Sequence, residues 1–161
     1  MPAPKSVVKI NKNGIEFTDS VDKANYYIFE LTRAALRDVS RFVRKRFREE
    51  YYKTFKKHTR QGPKAISYVI YSSKKTLYPR AEIGIKHAAN GKPVPGFYTY
   101  FHEVGTAKEP KRGLLQSVVE SNIDQIRQIE AQYLSAIENE QEADSLIDGE
   151  DDYTSEDDRD V

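Results

Sequence analysis

Residues 21–57 read VDKANYYIFELTRAALRDVSRFVRKRFREEYYKTFKK, and the spacing of their apolar side chains decides the kind of fold. Val21, Ala24, Ile28, Leu31, Ala35, Val39, Phe42 and Val43 recur at steps of three and four, which is the period of one face of an α-helix. Asp19 and Ser20 stand where an N-cap belongs, with Asp22 placed to favour the dipole of the first turn. The period continues more weakly through Phe47, Tyr51 and Phe55 until Gln61-Gly62-Pro63 stops it. One helix over 21–57 would be about 55 Å long at 1.5 Å per residue, whereas a compact domain of this size is roughly 35–40 Å across. The helix is therefore expected either to break near Glu49–Tyr52 or to project beyond its own domain toward a neighbour.

Outward from that helix the period changes. On its N-terminal side, Val7-Val8-Lys9-Ile10 and Ile15-Glu16-Phe17 flank Asn13-Gly14, a two-residue hairpin signal, so residues 1–18 read as a small hairpin or a loose arm. On its C-terminal side, Ile66–Tyr71 and Ala81–Lys86 are rich in β-branched and aromatic residues and partly alternate, and Phe97–His102 follows the same habit. Three strands are the economical reading. After Pro110 the helical period returns, with Leu115, Val119, Asn122 or Ile123, Ile126, Ile129, Tyr133 and Ile137 on one narrow stripe. From Glu138 the pattern fades into Asp, Glu, Ser and Gly, a composition expected to remain disordered. The expected architecture is α+β: a long N-terminal helix, a small antiparallel sheet of three or four strands, a C-terminal amphipathic helix over a domain spanning 19–137, and a disordered acidic tail over 138–161.

The overall net charge of +1 conceals an asymmetry. Residues 138–161 hold 12 acids and one base (Arg159), leaving 25 bases and 13 acids for 1–137. A basic body followed by an acidic tail points to contact with a polyanion or a partner protein. There are no cysteines, which removes disulfides, thiolate metal sites and cysteine nucleophiles. Residues 1–9 lack the apolar run of a signal peptide, and no stretch reaches the 18 apolar residues of a membrane span. A soluble protein made in the cytoplasm, with no membrane partner, is the expectation.

Catalytic chemistry finds no support. His102-Glu103 has no second histidine four residues away for a zinc site, and there is no phosphate-cradling Gly-rich loop and no Gly-x-Ser-x-Gly elbow. The acidic tail lacks the spaced oxygens and turn glycine of a calcium loop. No enzyme activity, metal or cofactor is expected. The basic helix is the better functional candidate, because Arg33, Arg37, Arg41, Arg44 and Arg48 advance by three or four residues and so share a face. That face is either a solvated surface opposite the core or a contact for DNA phosphate or an acidic protein. The acidic tail, held loosely against the basic face over Arg33–Arg60 by opposite charge, would mask it from nucleic acid or dock on a basic partner.

Phe101-His102-Glu103-Val104-Gly105-Thr106, then Pro110, then Leu114-Leu115-Gln116-Ser117-Val118-Val119-Glu120, resembles the tail-completion (head–tail joining) family of long-tailed bacteriophages. The resemblance covers about residues 20–137 in the order of elements and 97–123 in recognisable sequence. Two segments depart from the family: Pro110-Lys111-Arg112-Gly113-Leu114 stands where Pro-Phe-Leu is usual, and Gly62–Ser67 where Gly-x-Leu-x-x-Ser is. The resemblance implies a structural virion protein of the neck, forming a homo-oligomeric ring around the channel through which DNA passes. Its partners would be the head connector or stopper and the tail terminator or tail-tube proteins, in the virion after a period in the host cytoplasm. Glu103, Gly105 and Thr106 would then serve structure. Gly105 is expected to supply a positive φ or a close backbone approach, and Glu103 and Thr106 to hydrogen-bond backbone amides of the turn. The alternative is a basic nucleic-acid-binding accessory protein whose acidic tail competes for the arginine face.

Overall fold

The computed structural model describes residues 4–5, 7–12, 15–55, 61–72, 78–86 and 88–151, with the side chains of 7–17 and 148–151 excepted. Its elements, in chain order, are β1 (Val7–Lys12), β2 (Ile15–Asp19), α1 (Val21–Thr54), β3 (Ile66–Tyr71), β4 (Arg80–Ile85), β5 (Ala88–Ala89), β6 (Lys92–Pro93), α2 (Tyr98–Val104), α3 (Leu114–Ser121), α4 (Ile123–Ser135) and α5 (Glu140–Asp151). The fold thus mixes helices with small antiparallel sheets. β1 pairs with β2, and the expected turn at Asn13-Gly14 lies outside the described residues.

Helix α1 does not break. Its 34 residues run about 50 Å, and its length is met within the chain rather than by projection, because different elements cover its two halves. Tyr27, Leu31, Ala34 and Ala35 form one buried cluster with Tyr133, Ala136 and Ala143. Phe47, Tyr51 and Ile66 form a second, with Phe55, Ile83, Ile85, Leu114 and Leu115 packed against it. At roughly 100° per residue the two buried sets of α1 lie about half a turn apart. The single stripe read from the sequence is correct for Leu31, Ala35 and Val43, but Val21 is 62% and Ile28 47% exposed, because the buried side of the helix changes along its length.

The C-terminal segment doubles back along α1. The Tyr133 hydroxyl donates to Asp38 at 2.6 Å, and Arg46 donates to Gln125 at 3.4 Å. Eight residues forward in α1 thus match eight backward in α4, so the pair is antiparallel. The expected single helix carrying the Leu115–Ile137 stripe is divided at Asn122, which has φ −118° and ψ 17°. Its side-chain amide donates to the Val118 carbonyl at 2.8 Å, satisfying an acceptor that the end of α3 leaves open. After Asn139 the chain turns again, and α5 packs on the N-terminal half of α1 through Ala143, Leu146 and Ile147. The acidic segment expected to be disordered from Glu138 therefore begins with a packed helix, while residues 152–161 lie outside the described residues.

The expected sheet of three or four strands is corrected. Among the described residues the strands pair only two by two, β3 with β4 in register from Ile66↔Ile85 to Tyr71↔Arg80. The segment expected as a third strand, Phe97–His102, is instead helix α2. Helical spacing turns Thr99 inward, where it is buried and its hydroxyl donates to the Gly62 carbonyl at 3.0 Å. A side chain at Gly62 would collide with the Tyr51 hydroxyl, so this glycine lets the short turn at 62–65 seat against the end of α1.

The contact between α5 and α1 is pH-sensitive. Tyr27 is buried, and its hydroxyl donates to Asp144 at 3.0 Å. Burial first, then the hydrogen bond to Asp144 and the nearby carboxylates, push its pKa up from 10.0 to about 12, a preference for the neutral folded form worth roughly 2–3 kcal/mol. That stabilisation is complete below pH 10 and is lost as the pH rises toward about 12. Urea denaturation at pH 8 and pH 11 should show the loss in the native chain. Tyr27→Phe should lower stability by about 1 kcal/mol at pH 8 and lose less on going to pH 11 than the native chain does.

Candidate functional site

The Glu103–Thr106 signature sits where α2 hands over to α3. An α-helix ends with carbonyls that lack intrahelical donors, and the next begins with amides that lack acceptors; here the His102 and Glu103 carbonyls and the first amides of α3 are met across the joint. At the end of α2, the Phe101 carbonyl accepts from Gly105 N at 2.8 Å, His102 from Arg112 N at 3.0 Å, and Glu103 from Gly113 N at 3.3 Å. At the start of α3 the N-cap position is Gly113, which has no side chain to offer. The Glu103 carboxylate takes that role from a distance, accepting from Leu115 N at 3.0 Å and Gln116 N at 3.4 Å. A carboxylate there also suits the positive end of the helix dipole.

Gly105 has φ +81°, and a Cβ on it would lie 2.7 Å from Lys111 N. Both the conformation and the close approach require glycine. Thr106 closes the loop between, its hydroxyl oxygen accepting from Glu109 N at 3.1 Å and Lys108 N at 3.3 Å. His102 Nδ1 lies 2.7 Å from Glu109 Oε2. The His102 ring lies tilted 4.8 Å from Phe55, centroid to centroid, and the Arg112 guanidinium lies 5.0 Å over that same Phe55 ring. The structure thus brings Glu103, Gly105 and Thr106 together as one helix-to-helix joint. Sequence reasoning missed Phe55, Glu109 and Arg112 as its supports. The side-chain-free Gly113 before Leu114 was the available sign that the cap of α3 must come from elsewhere. Among the described residues no group of three or more His, Asp or Glu side chains could hold a metal ion.

The five arginines of α1 occupy a shared face, and all five are half-buried. Arg33 pairs with Glu30 at 3.1 Å and Arg41 with Asp38 at 3.7 Å, part-buried i,i+3 contacts on one helix. The face borders both buried sets of α1, and the Nε atoms of Arg44 and Arg48 are themselves buried. Of the aromatics interleaved with this face, Tyr51 belongs to the core and only Tyr52 is exposed; Lys56, Lys57 and Arg60 lie outside the described residues. No helix among the described residues is long and apolar enough to cross a membrane.

The joint generates a graded expectation. Gly105→Val combines a strained φ with a backbone collision and should leave little soluble folded protein. Glu103→Ala should cost about 1–2 kcal/mol in urea unfolding, with Glu103→Gln between it and the native chain. Native-like stability of Gly105→Val would refute this account of the joint. No family model, curated protein or solved structure matches this chain.

Proposed function

We propose that this chain is a structural protein of a bacteriophage neck, a ring subunit that joins the head connector to the tail or completes the tail tube. The observation that carries the reading is the segment from Phe101 to Glu120, whose Glu-x-Gly-Thr signature is used wholly in joining α2 to α3. Residues committed in this way hold a scaffold and leave no group for a substrate. A second observation supports association. Phe97, Phe101 and Val104, spaced four and three residues apart at α2, remain exposed, and such an apolar stripe is of the kind a neighbouring subunit covers. In the ring, DNA would pass through the channel, with the connector or stopper on one side and the tail terminator or tube on the other.

A second reading, favoured by the arginine face, is a nucleic-acid-binding accessory protein. Phosphate contacts from Arg33, Arg37, Arg41, Arg44 and Arg48 would make its DNA affinity fall steeply with salt.

Sedimentation and negative-stain imaging of the chain, alone and mixed with connector and tail-tube proteins encoded beside it, separate the two. The neck reading expects rings in at least one condition, lost on Phe101→Glu with Val104→Lys while the secondary structure is retained. A strict monomer in both conditions would overturn it, and salt-sensitive DNA binding by that monomer would establish the second reading.

A further inference from the structure

Strands β3 and β4 form a sheet of two, and their register shows which backbone groups each strand turns outward. Lys86 N donates to the Ala65 carbonyl at 2.9 Å, and Ala65 and Lys86 continue the register that sets Ile66 opposite Ile85. In an antiparallel pair, facing residues that bond to each other alternate with facing residues that do not. Ser67, Val69 and Tyr71 therefore direct their N–H and C=O groups at β4, while Tyr68 and Ile70 direct theirs away from it. Ala81, Ile83 and Ile85 do the same on the far side of β4. Among the described residues neither outer edge is paired with a third strand.

The two edges differ in how they are guarded. β4 carries Arg80 and Glu82, which pair at 3.6 Å, and charged side chains are a common guard against strand addition. β3 has no charge, no proline and no glycine over Ile66–Tyr71. Its start is covered, since Ile66 is 2% exposed, but Val69 is 48% and Tyr71 41% exposed. The open part is self-complementary. When two copies of β3 lie antiparallel with Val69 opposite Val69, Tyr68 of each faces Ile70 of the other, and each of these facing pairs exchanges both of its N–H···O=C bonds. Ser67 then stands opposite Tyr71, and no charge meets another across the seam. We propose that the outer edge of β3 is a homodimer interface, which joins the two-stranded sheets of two copies in the order β4-β3-β3-β4. A two-stranded sheet is marginal by itself and gains from added strands. Growth stops at the dimer, because both remaining edges are the charged β4. Pairing of β3 with the β4 of another copy would instead leave one edge of each kind open to further copies. The inference goes beyond both functional readings and depends on neither, since it uses β3 and not the α2 stripe or the arginine face.

The chain has no cysteine, so an introduced one is its sole thiol. In the proposed register the two Val69 positions face each other as a non-bonded pair with Cα atoms about 4.5 Å apart, within the range a disulfide spans. In the full chain, Val69→Cys should be captured as a covalent dimer by oxidised glutathione, whereas Glu82→Cys, exposed on the charged strand, should remain monomeric. Adding Tyr68→Pro to Val69→Cys removes an outward donor and no β3–β4 bond, and should abolish the capture while the far-UV circular dichroism is retained. Hydrogen exchange of the unaltered chain reads the same contact without a substitution. On raising the protein concentration, the Tyr68 and Ile70 amides should slow about tenfold once roughly nine-tenths of the chain is paired, while the Val69 and Tyr71 amides are protected throughout. Equal capture of Val69→Cys and Glu82→Cys would overturn the proposal, as would Tyr68 and Ile70 exchange that does not depend on concentration.

Discussion

A helix packed on a single layer buries one stripe of its surface, and α1 buries two. Between Ala35 and Ser40 its covered side passes from the one shared by Tyr27, Leu31 and Ala34 to the one shared by Val43, Phe47 and Tyr51. Each end of the same rod must therefore be covered by a different element. The C-terminal helices supply the first cover through Tyr133, Ala136 and Ala143, and the β3–β4 pair with the start of α3 supplies the second through Ile66, Ile83 and Leu115. The chain divides at Asn122, so that Leu114 and Leu115 at the start of α3 reach the Phe47–Tyr51 cluster while α4 runs back from Arg46 to Asp38 and delivers Tyr133 to the other. A straight continuation would carry one stripe past both covers.

The joint at Glu103 fixes where that division begins. Because the carboxylate of one helix caps the amides of the next, the first turn of α3 is referenced to α2 rather than to its own N-cap. Helix α2 is in turn held to the end of α1 through Thr99 and Gly62 and through Phe55 beside His102. The Glu103–Thr106 joint is thus the point at which three segments, distant in sequence, agree on a common position.

Legibility in the sequence followed the physics of each segment. The start and course of α1, the β3 and β4 strands and the need for glycine at 105 were all readable from period, composition and backbone preference. Helix α2 was not. Tyr98, Thr99, Tyr100 and Phe101 favour strands by composition, and six residues are too few for period to arbitrate. Its state is decided by tertiary contacts, the buried hydroxyl of Thr99 above all. Helix α5 was obscured for another reason. Ala143, Leu146 and Ile147 carry a proper i, i+3, i+4 stripe, but the acids around them dominate the average. Tyr27, which supplies the matching hydrogen bond, stands 117 residues upstream. The partners of Glu103 were invisible for the same reason, since no local rule links a carboxylate to amides 12 and 13 positions away.

The antiparallel return of α4 and the parallel return of α5 have a consequence for how the chain is made. α1 is synthesised early, with apolar side chains on two sides; β3 and β4 follow closely to cover Phe47 and Tyr51, while the cover of its N-terminal half arrives much later: Asp38 meets a partner 95 residues on, and Tyr27 one 117 residues on. At roughly 5–20 residues per second on the ribosome, the Tyr27–Ala35 flank spends several seconds bare. Contacts this distant in sequence also close slowly once the chain is complete. The nascent chain is thus an amphipathic rod awaiting its own C-terminus, and the arginines spaced along it give that rod like-charge repulsion against its own kind during the wait.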